Sequence, residues 1–423
     1  MSELVHVRRT CRLCGSARIV KTIPLAQVPI VSPNVEAERT TDGSPITHIM
    51  APLDNYLCQD CGLIQLVHVV DPALIYSKYL YRTSISRGLP EHFADLSATV
   101  VSRLGLEPGD LVVEFGSNDG TLLSFFKRRG MRVQGVDPAG RIAREAARNG
   151  IPTLPEFFNV EVAQSIYRDH GKARAIIANN AMANIDDLDE IFEGVRTLLA
   201  PDGAFVFETQ YALDVFESTL LDVIYHEHIS TFSVQPVVRA VGRHRLVVFD
   251  AERIATKGGS IRFWLQHSDA VRPVEARVGD LVDLEQKTGL YDVAYHSRFS
   301  DRVERNKAEL HRRIDEVRRA GGLVGGYGTS VGCAALIHQF ELEQRLDVLF
   351  DDTPFKDRLT GPGYDLPVLR GEDVHKKAPA LIVVLAWRYA KPIVDKQGDY
   401  VGRGGRFVVP LPEVFEISQG DGK

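Results

Sequence analysis

Short runs of consecutive apolar residues alternate with longer stretches in which apolar positions recur every three or four residues, from Leu111 to about Trp264. The short runs, Leu111 to Phe115, Met131 to Val136, Ala173 to Ala178 and Gly203 to Glu208, have the pattern of strands buried on both faces. The intervening segments, His92 to Leu104, Thr121 to Arg129, Pro138 to Asn149 and Asp187 to Leu199, predict amphipathic helices. Such alternation predicts one doubly wound α/β domain. A second series of apolar runs begins at Gly322 and continues through Leu346 to Asp352, Ala380 to Trp387 and Arg406 to Pro410, after a predicted helix over Glu304 to Ala320. Ahead of both lies a stretch without sustained periodicity, then a helical, aromatic segment from Ala73 to Ser84.

Composition bounds what these domains do. A chain of 423 residues exceeds one ordinary core and predicts two or three domains. The net charge of −6 argues against nucleic-acid binding as the main activity. No apolar run is long enough to span a bilayer, and the first residues lack the apolar core of a signal peptide. The expectation is therefore a cytoplasmic protein with neither a membrane nor a nucleic-acid partner.

Four of the five cysteines form two C-x-x-C pairs, Cys11 with Cys14 and Cys58 with Cys61, each followed by glycine. Four thiolates in two such knuckles suit tetrahedral zinc. With four protein ligands no coordination position is open, so the metal is expected to be structural.

The first strand runs into Gly116-Ser117-Asn118-Asp119-Gly120 and then a helix, the opening unit of a nucleotide site. Asp137 ends the second strand, where a carboxylate suits the two hydroxyls of a ribose. The turn is not Gly-x-Gly-x-x-Gly. Glu114, Asn118, Asp119 and Asp137 give it an acidic lining, which fits a cationic adenosyl ligand better than pyrophosphate. That ligand is S-adenosylmethionine, and the region looks like motif I of class I methyltransferases. Asn179 and Asn180 follow the next buried strand, at a carboxyl end where ligands of open α/β sheets sit.

Tyr225-His226-Glu227-His228 is the stretch richest in proton-handling groups. Extended, it would place the two histidines on one face; as a turn, all four side chains converge. A general base with an orienting partner is one reading, an exposed polar turn the other. Tyr79 and Tyr81 are either core packing or hydroxyls directed at a site, and Phe157 or Phe158 either packs or stacks on adenine. Lys257-Gly-Gly-Ser precedes Arg262, a candidate anion ligand. In the second α/β unit, Tyr327, Ser330, Asp351, Lys356, Trp387 and Arg388 are candidates for holding a substrate.

Taken in order, the double C-x-x-C, E-F-G-S-N-D-G, N-N, Y-H-E-H, G-G-S-x-R, G-Y-G-T-S and W-R-Y resemble the three-domain sugar C-methyltransferases of deoxysugar pathways, over nearly the whole chain. The resemblance implies a zinc domain over 1–75, an S-adenosylmethionine domain over 76–285 and a C-terminal Rossmann-like, substrate-binding domain over 286–423. It implies C-methylation, usually at C-3, of a nucleotide-linked 4-keto-6-deoxysugar. It makes His228 the base, with Tyr225, Glu227 and Tyr79 beside it, and gives the donor to Gly116, Asn118, Asp119 and Asp137, with Asn179 or Asn180 near its methyl group. Three positions depart from the family pattern. Asn184 stands where a His is frequent, Lys257 replaces the His of His-Gly-Gly-Ser, and Ser330-Val-Gly332-Cys333 lacks the usual Lys. The alternative is the same fold with another acceptor or another reaction, such as an isomerisation.

Overall fold

In a computed structural model, the structure describes residues 4–30, 49–76, 79, 81–86, 88–353, 356, 360, 364 and 366–418. The chain forms two compact units, the first from residues 1–20, 57–213 and 229–291, the second from 21–56, 214–228 and 292–423.

The first unit is built on a seven-stranded sheet. Its strands are β1 (Leu111–Phe115), β2 (Arg132–Val136), β3 (Thr153–Leu154), β4 (Ala173–Asn179), β5 (Leu199–Gln210), β6 (Leu246–Ile254) and β7 (Ser260–His267). They lie in the order β3-β2-β1-β4-β5-β7-β6. The first five are parallel; β7 runs antiparallel to β5 and pairs with β6 as a hairpin. Helices α1 (Leu89–Leu104), α2 (Thr121–Arg128), α3 (Gly140–Arg148), α4 (Val160–His170) and α5 (Leu188–Leu198) accompany it. All five residues of β1 are buried, as the unbroken apolar run predicts. One face of the sheet is closed by Phe93, Leu96 and Val100 of α1 and Leu122 and Phe126 of α2, packed around Val112 and Trp264. Side chains of this size each contribute about 1.5–3 kcal/mol on burial.

The same unit carries the cysteine knuckles, where Gly15 N–H donates to Cys11 O and Gly62 N–H to Cys58 O. The strand Ile64–Leu66 pairs with Ser230–Thr231, tying the second knuckle to the segment that follows His228. Helices α6 (Val234–Val241) and α7 (Ala276–Thr288) complete the unit. Of the helical segment predicted after Asp71, the described residues show a helix at Pro72–Tyr76 and a 3₁₀ turn at Thr83–Ile85.

In the second unit, β8 (Val324–Tyr327), β9 (Val348–Asp351), β10 (Val368–Arg370), β11 (Leu381–Val384), β12 (Phe407–Val409) and β13 (Phe415–Ile417) form a sheet in the order β10-β9-β8-β11-β12-β13. Only β13 is antiparallel to its neighbour. Helix α8 starts at Val293, eleven residues before the predicted Glu304, and runs to Arg319. Its buried stripe includes two polar residues, His296 and Asn306. Each is satisfied: His296 Nδ1 lies 2.8 Å from Thr22 Oγ1, and Asn306 Nδ2 donates to Pro412 O at 2.7 Å. Helix α9 (Val331–Gln339) follows the glycine turn after β8.

Candidate active site

The turn after β1 is shaped by three residues with positive φ, Gly116 (+67°), Asn118 (+50°) and Gly120 (+76°). A Cβ on Gly116 would lie 2.7 Å from Ala181 Cβ, so the backbone approaches the 179–181 segment as only glycine permits. Asp137 closes the turn by accepting from Asn118 N–H and Ala139 N–H, both at 2.8 Å. Burial nevertheless raises its carboxyl, the two N–H groups opposing that shift. Glu114 is fully buried in β1, with Oε2 lacking a hydrogen-bond partner among the described residues. Burial, and then Asp137 and Asp119, push its carboxyl well above the ordinary range.

Two residues expected to face the donor are otherwise engaged. Asn118 Oδ1 accepts from Thr83 N–H at 3.0 Å, and its Nδ2 donates to Tyr81 O at 3.1 Å. Asp119 accepts from Ser84 N–H at 2.9 Å and from Thr121 Oγ1 at 2.6 Å. Their side chains therefore pin residues 81–84 onto the glycine turn. Aromatic rings line the same segment: Tyr79 lies 5.3 Å from Tyr76 and 6.3 Å from Tyr81, and Phe157 meets Tyr76 edge-on. Phe157 is exposed, whereas Phe158 is stacked on Phe115 in the core.

At the end of β4, Asn179 Nδ2 donates to Glu208 Oε2 at 2.8 Å, and Asn180 Nδ2 bonds to Asn179 Oδ1. Asn180 Oδ1 is buried and has no partner among the described residues. Glu208 is also met by His92 Nε2 at 2.7 Å and by Arg262 Nε at 2.6 Å. Burial opposes ionisation of Glu208, but His92 and Arg262 together hold its carboxyl below the usual range. Arg262, expected to bind a substrate anion, is buried and paired with Glu208 and Glu252. Asn184 donates to Tyr76 OH at 3.0 Å and keeps a buried Oδ1 without a partner among the described residues. Lys257 is exposed, in the turn of the β6–β7 hairpin. His92 escaped sequence analysis because a lone histidine on an amphipathic helix carries no signal until β5 supplies its partner.

Residues 225–228 form a turn, closed by His228 N–H to Tyr225 O at 2.8 Å. His228 Nδ1 lies 2.8 Å from Val223 O, which only an Nδ1–H can satisfy. That tautomer leaves Nε2 as an acceptor, and Tyr225 OH lies 3.0 Å from it. The orienting partner of the ring is thus the Val223 carbonyl, not its neighbour Glu227, because the turn brings that carbonyl under the ring. Nor do all four side chains converge, since His226 is buried with Nε2 3.1 Å from Ala51 O. No hydrogen bond engages Glu227 among the described residues, and burial pushes its carboxyl up to about 7.

In the second unit, Asp351 ends β9 and accepts from Thr329 N–H (3.0 Å) and Oγ1 (2.6 Å), with Lys356 Nζ at 3.1 Å. Tyr327 OH donates to Asp352 at 2.8 Å. Ser330 caps α9 through Cys333 N–H. Arg388 Nη2 lies 2.8 Å from Asp222 Oδ2, and the adjacent Trp387 has a buried Nε1. Six of the substrate candidates thus share this unit.

The four Sγ atoms of Cys11, Cys14, Cys58 and Cys61 lie within 4.8 Å of one another, with the Cys11–Cys61 and Cys14–Cys58 pairs at 3.6 Å. A tetrahedron with Zn–S near ~2.3 Å has S···S edges of about 3.8 Å, so the donor set fits zinc and would hold it through these thiolates. The donor turn likewise fits a methyl donor. Gly116 brings the turn onto the 179–181 segment, Glu114 and Asp137 supply an acidic lining, and Asn180 Oδ1 is an acceptor without a partner among the described residues.

A parallel sheet with this acidic glycine turn, joined to a four-cysteine knuckle, defines an S-adenosylmethionine-dependent methyltransferase with a zinc-binding domain. Three family patterns match successive stretches: a putative zinc binding domain over 11–76, a methyltransferase domain over 90–248 and a C-methyltransferase C-terminal domain over 255–412. C-methyltransferase NovU of Streptomyces niveus is 33% identical over 419 residues, 99% of each chain. The chain belongs to this C-methyltransferase family. Solved structures resemble it only in part. A methyltransferase from Clostridium acetobutylicum ATCC 824 is 12% identical, over 42% of this chain and 91% of that one (TM-score 0.33). The PH0226 protein of Pyrococcus horikoshii OT3 is 14% identical, over 44% and 94% (TM-score 0.35). Among the described residues, no helix is long and apolar enough to cross a membrane.

Proposed function

We propose that this C-methyltransferase acts on a nucleotide-linked 4-keto-6-deoxysugar, at the carbon next to the ketone and most simply C-3. The observation that carries the reading is the placement of His228: Nδ1–H is committed to Val223 O, so in the neutral ring Nε2 is the acceptor, beside Tyr225 OH. A ketone acidifies the neighbouring C–H, and His228 Nε2 takes that proton. Tyr225 orients the enolate, and Glu227, whose carboxyl burial pushes up to about 7, lies in the same turn as the base. S-adenosylmethionine, when bound, supplies an electrophilic methyl group to the carbon nucleophile. Glu114, the Gly116 turn, Asp137 and Asn180 hold that donor. Residues 286–423 hold the nucleotide, with Tyr327, Asp351 and Lys356 as contacts.

The test is incubation of nucleotide 4-keto-6-deoxysugars with enzyme and S-adenosylmethionine in deuterated water, read by mass spectrometry. Methylated product and S-adenosylhomocysteine are expected, and His228→Asn should lower turnover by roughly 10²–10⁴-fold. A His228→Asn enzyme that binds both ligands and turns over at the parental rate would refute the base. Deuterium uptake without methylation would instead support a different acceptor or reaction. The observation favouring that second reading is Asn184, which donates to Tyr76 where a histidine would titrate.

A further inference from the structure

His228 owes its tautomer to the Val223 carbonyl, so whatever fixes Val223 sets the base. Val223 ends a tight 3₁₀ turn, Leu221–Val223, in which all three residues are buried. Such a turn has no periodic neighbours to hold it and must be fixed from outside.

Two features of the same unit do so. The backbone of α9 lies directly against the turn: a Cβ on Gly332 would fall 2.4 Å from Asp222 O. Asp222 itself carries a carboxylate into a site where it is 7% exposed. A carboxylate there needs a cation, and Arg388 Nη2 meets its Oδ2 at 2.8 Å. Burial raises the Asp222 carboxyl; the Arg388 guanidinium opposes that shift most, with the side chain of the adjacent Trp387 after it.

We propose that Arg388 is a positioning residue for the base: through Asp222 it fixes the 221–223 turn, whose Val223 carbonyl holds the His228 proton on Nδ1 and leaves Nε2 as the acceptor facing Tyr225 OH. Contacts of 2.8 Å stand at both ends of this path, Arg388 to Asp222 and Val223 to His228, with one peptide link between them. The inference rests on His228 being the base, and it changes the role first expected of Arg388, that of a substrate ligand.

The experiment uses the full-length zinc-loaded enzyme with ¹⁵N-labelled histidine. Long-range ¹H–¹⁵N spectra distinguish a histidine protonated on Nδ1 from one protonated on Nε2, independently of turnover, and the His228→Asn spectrum identifies the signal. In the parent, His228 should show the Nδ1–H form. Arg388→Gln and Asp222→Asn should each convert it to a mixture and lower kcat by roughly 10–100-fold, part of the ~10²–10⁴-fold a general base supplies. KM for a nucleoside-diphosphate 4-keto-6-deoxysugar should stay within about twofold. Arg388→Lys, which keeps a cation on Asp222, should retain both the tautomer and most of kcat. If Arg388→Gln raises KM while kcat and the tautomer are unchanged, Arg388 is a substrate ligand and the inference is overturned. Should Arg388→Gln fail to fold, the folded Asp222→Asn variant decides on the same readout, an unchanged tautomer refuting the inference. A fully active His228→Asn enzyme would remove the base itself, whereas the tautomer spectra would still report whether Arg388 and Asp222 set the ring.

Discussion

Replacing Arg12 with methionine should destabilise the first unit far more than a surface substitution. Arg12 lies inside the first zinc knuckle and is 2% exposed. Its Nη2 donates to Leu66 O at 2.7 Å, its Nη1 to Ile229 O, and its Nε to Asp186 Oδ1 at 3.2 Å. Methionine refills the aliphatic volume but takes from the Leu66 carbonyl its guanidinium donor, whereas the Ile229 carbonyl still accepts from Leu66 N–H at 2.9 Å. One buried carbonyl left without that donor costs about 1–3 kcal/mol. Asp186 loses less, because Arg8 also meets it at 3.1 Å; against the cost of burial, Arg12 and Arg8 together hold its carboxyl below the usual range. A unit of this size changes its Tm by about 2–4 °C per kcal/mol, so the melting temperature should fall by about 2–12 °C. Calorimetry of the zinc-loaded protein, with metal content measured in parallel, is the assay. A Tm within about 2 °C of the parent, with zinc still bound, would refute the argument that this guanidinium joins the knuckle to residues 66, 186 and 229.

Three further outcomes follow from the same contacts. Stripping the metal with a chelator should increase amide exchange over residues 11–16, 58–63 and the paired strand Ser230–Thr231, and leave β1 protected; uniform exchange across β1 would contradict a local role for zinc. Glu227→Gln should stabilise the protein by about 1–3 kcal/mol at pH 8 and by almost nothing below pH 4.5. The sign follows from the raised carboxyl: between its ordinary 4.5 and about 7 the folded state binds the extra proton, so stability is lost as pH rises through that window, and denaturant melts at both pH values check it. Gly332→Ala, whose Cβ would press on Asp222 O, should cost about 1–3 kcal/mol and depress turnover with it; an unchanged melt would show that α9 yields easily.

The sequence is most legible where structure is local. The β1 run, the glycine turn and α2 form one contiguous signal, and the observed strand Leu111–Phe115 has the expected ends. The cysteine knuckles are equally plain, since metal ligation demands fixed residue types at fixed spacing. Pairings across the fold are not legible. Nothing near Arg262 in sequence announces Glu208, and nothing near Arg388 announces Asp222, so both arginines read as ligands for anions from outside. Asn118 and Asp119 misled in a different way: the turn chemistry was visible, but their hydrogen bonds to residues 81–84 depend on how the chain returns over the turn. The cluster from Tyr225 to His228 is plain in the sequence, yet the His228 tautomer depends on a carbonyl five residues earlier, at a distance no spacing rule predicts.

The buried arginine in the first knuckle also limits how such enzymes can be recombined. A zinc module spliced between relatives would carry its guanidinium into a host whose carbonyl at 229 and carboxylate at 186 must already stand in register. Chimeras cut between the zinc module and the sheet should therefore fail unless the segments around 186 and 229 travel with it. Over evolutionary time those three segments should change as a set, so the unit of inheritance here is the clasp and not the domain.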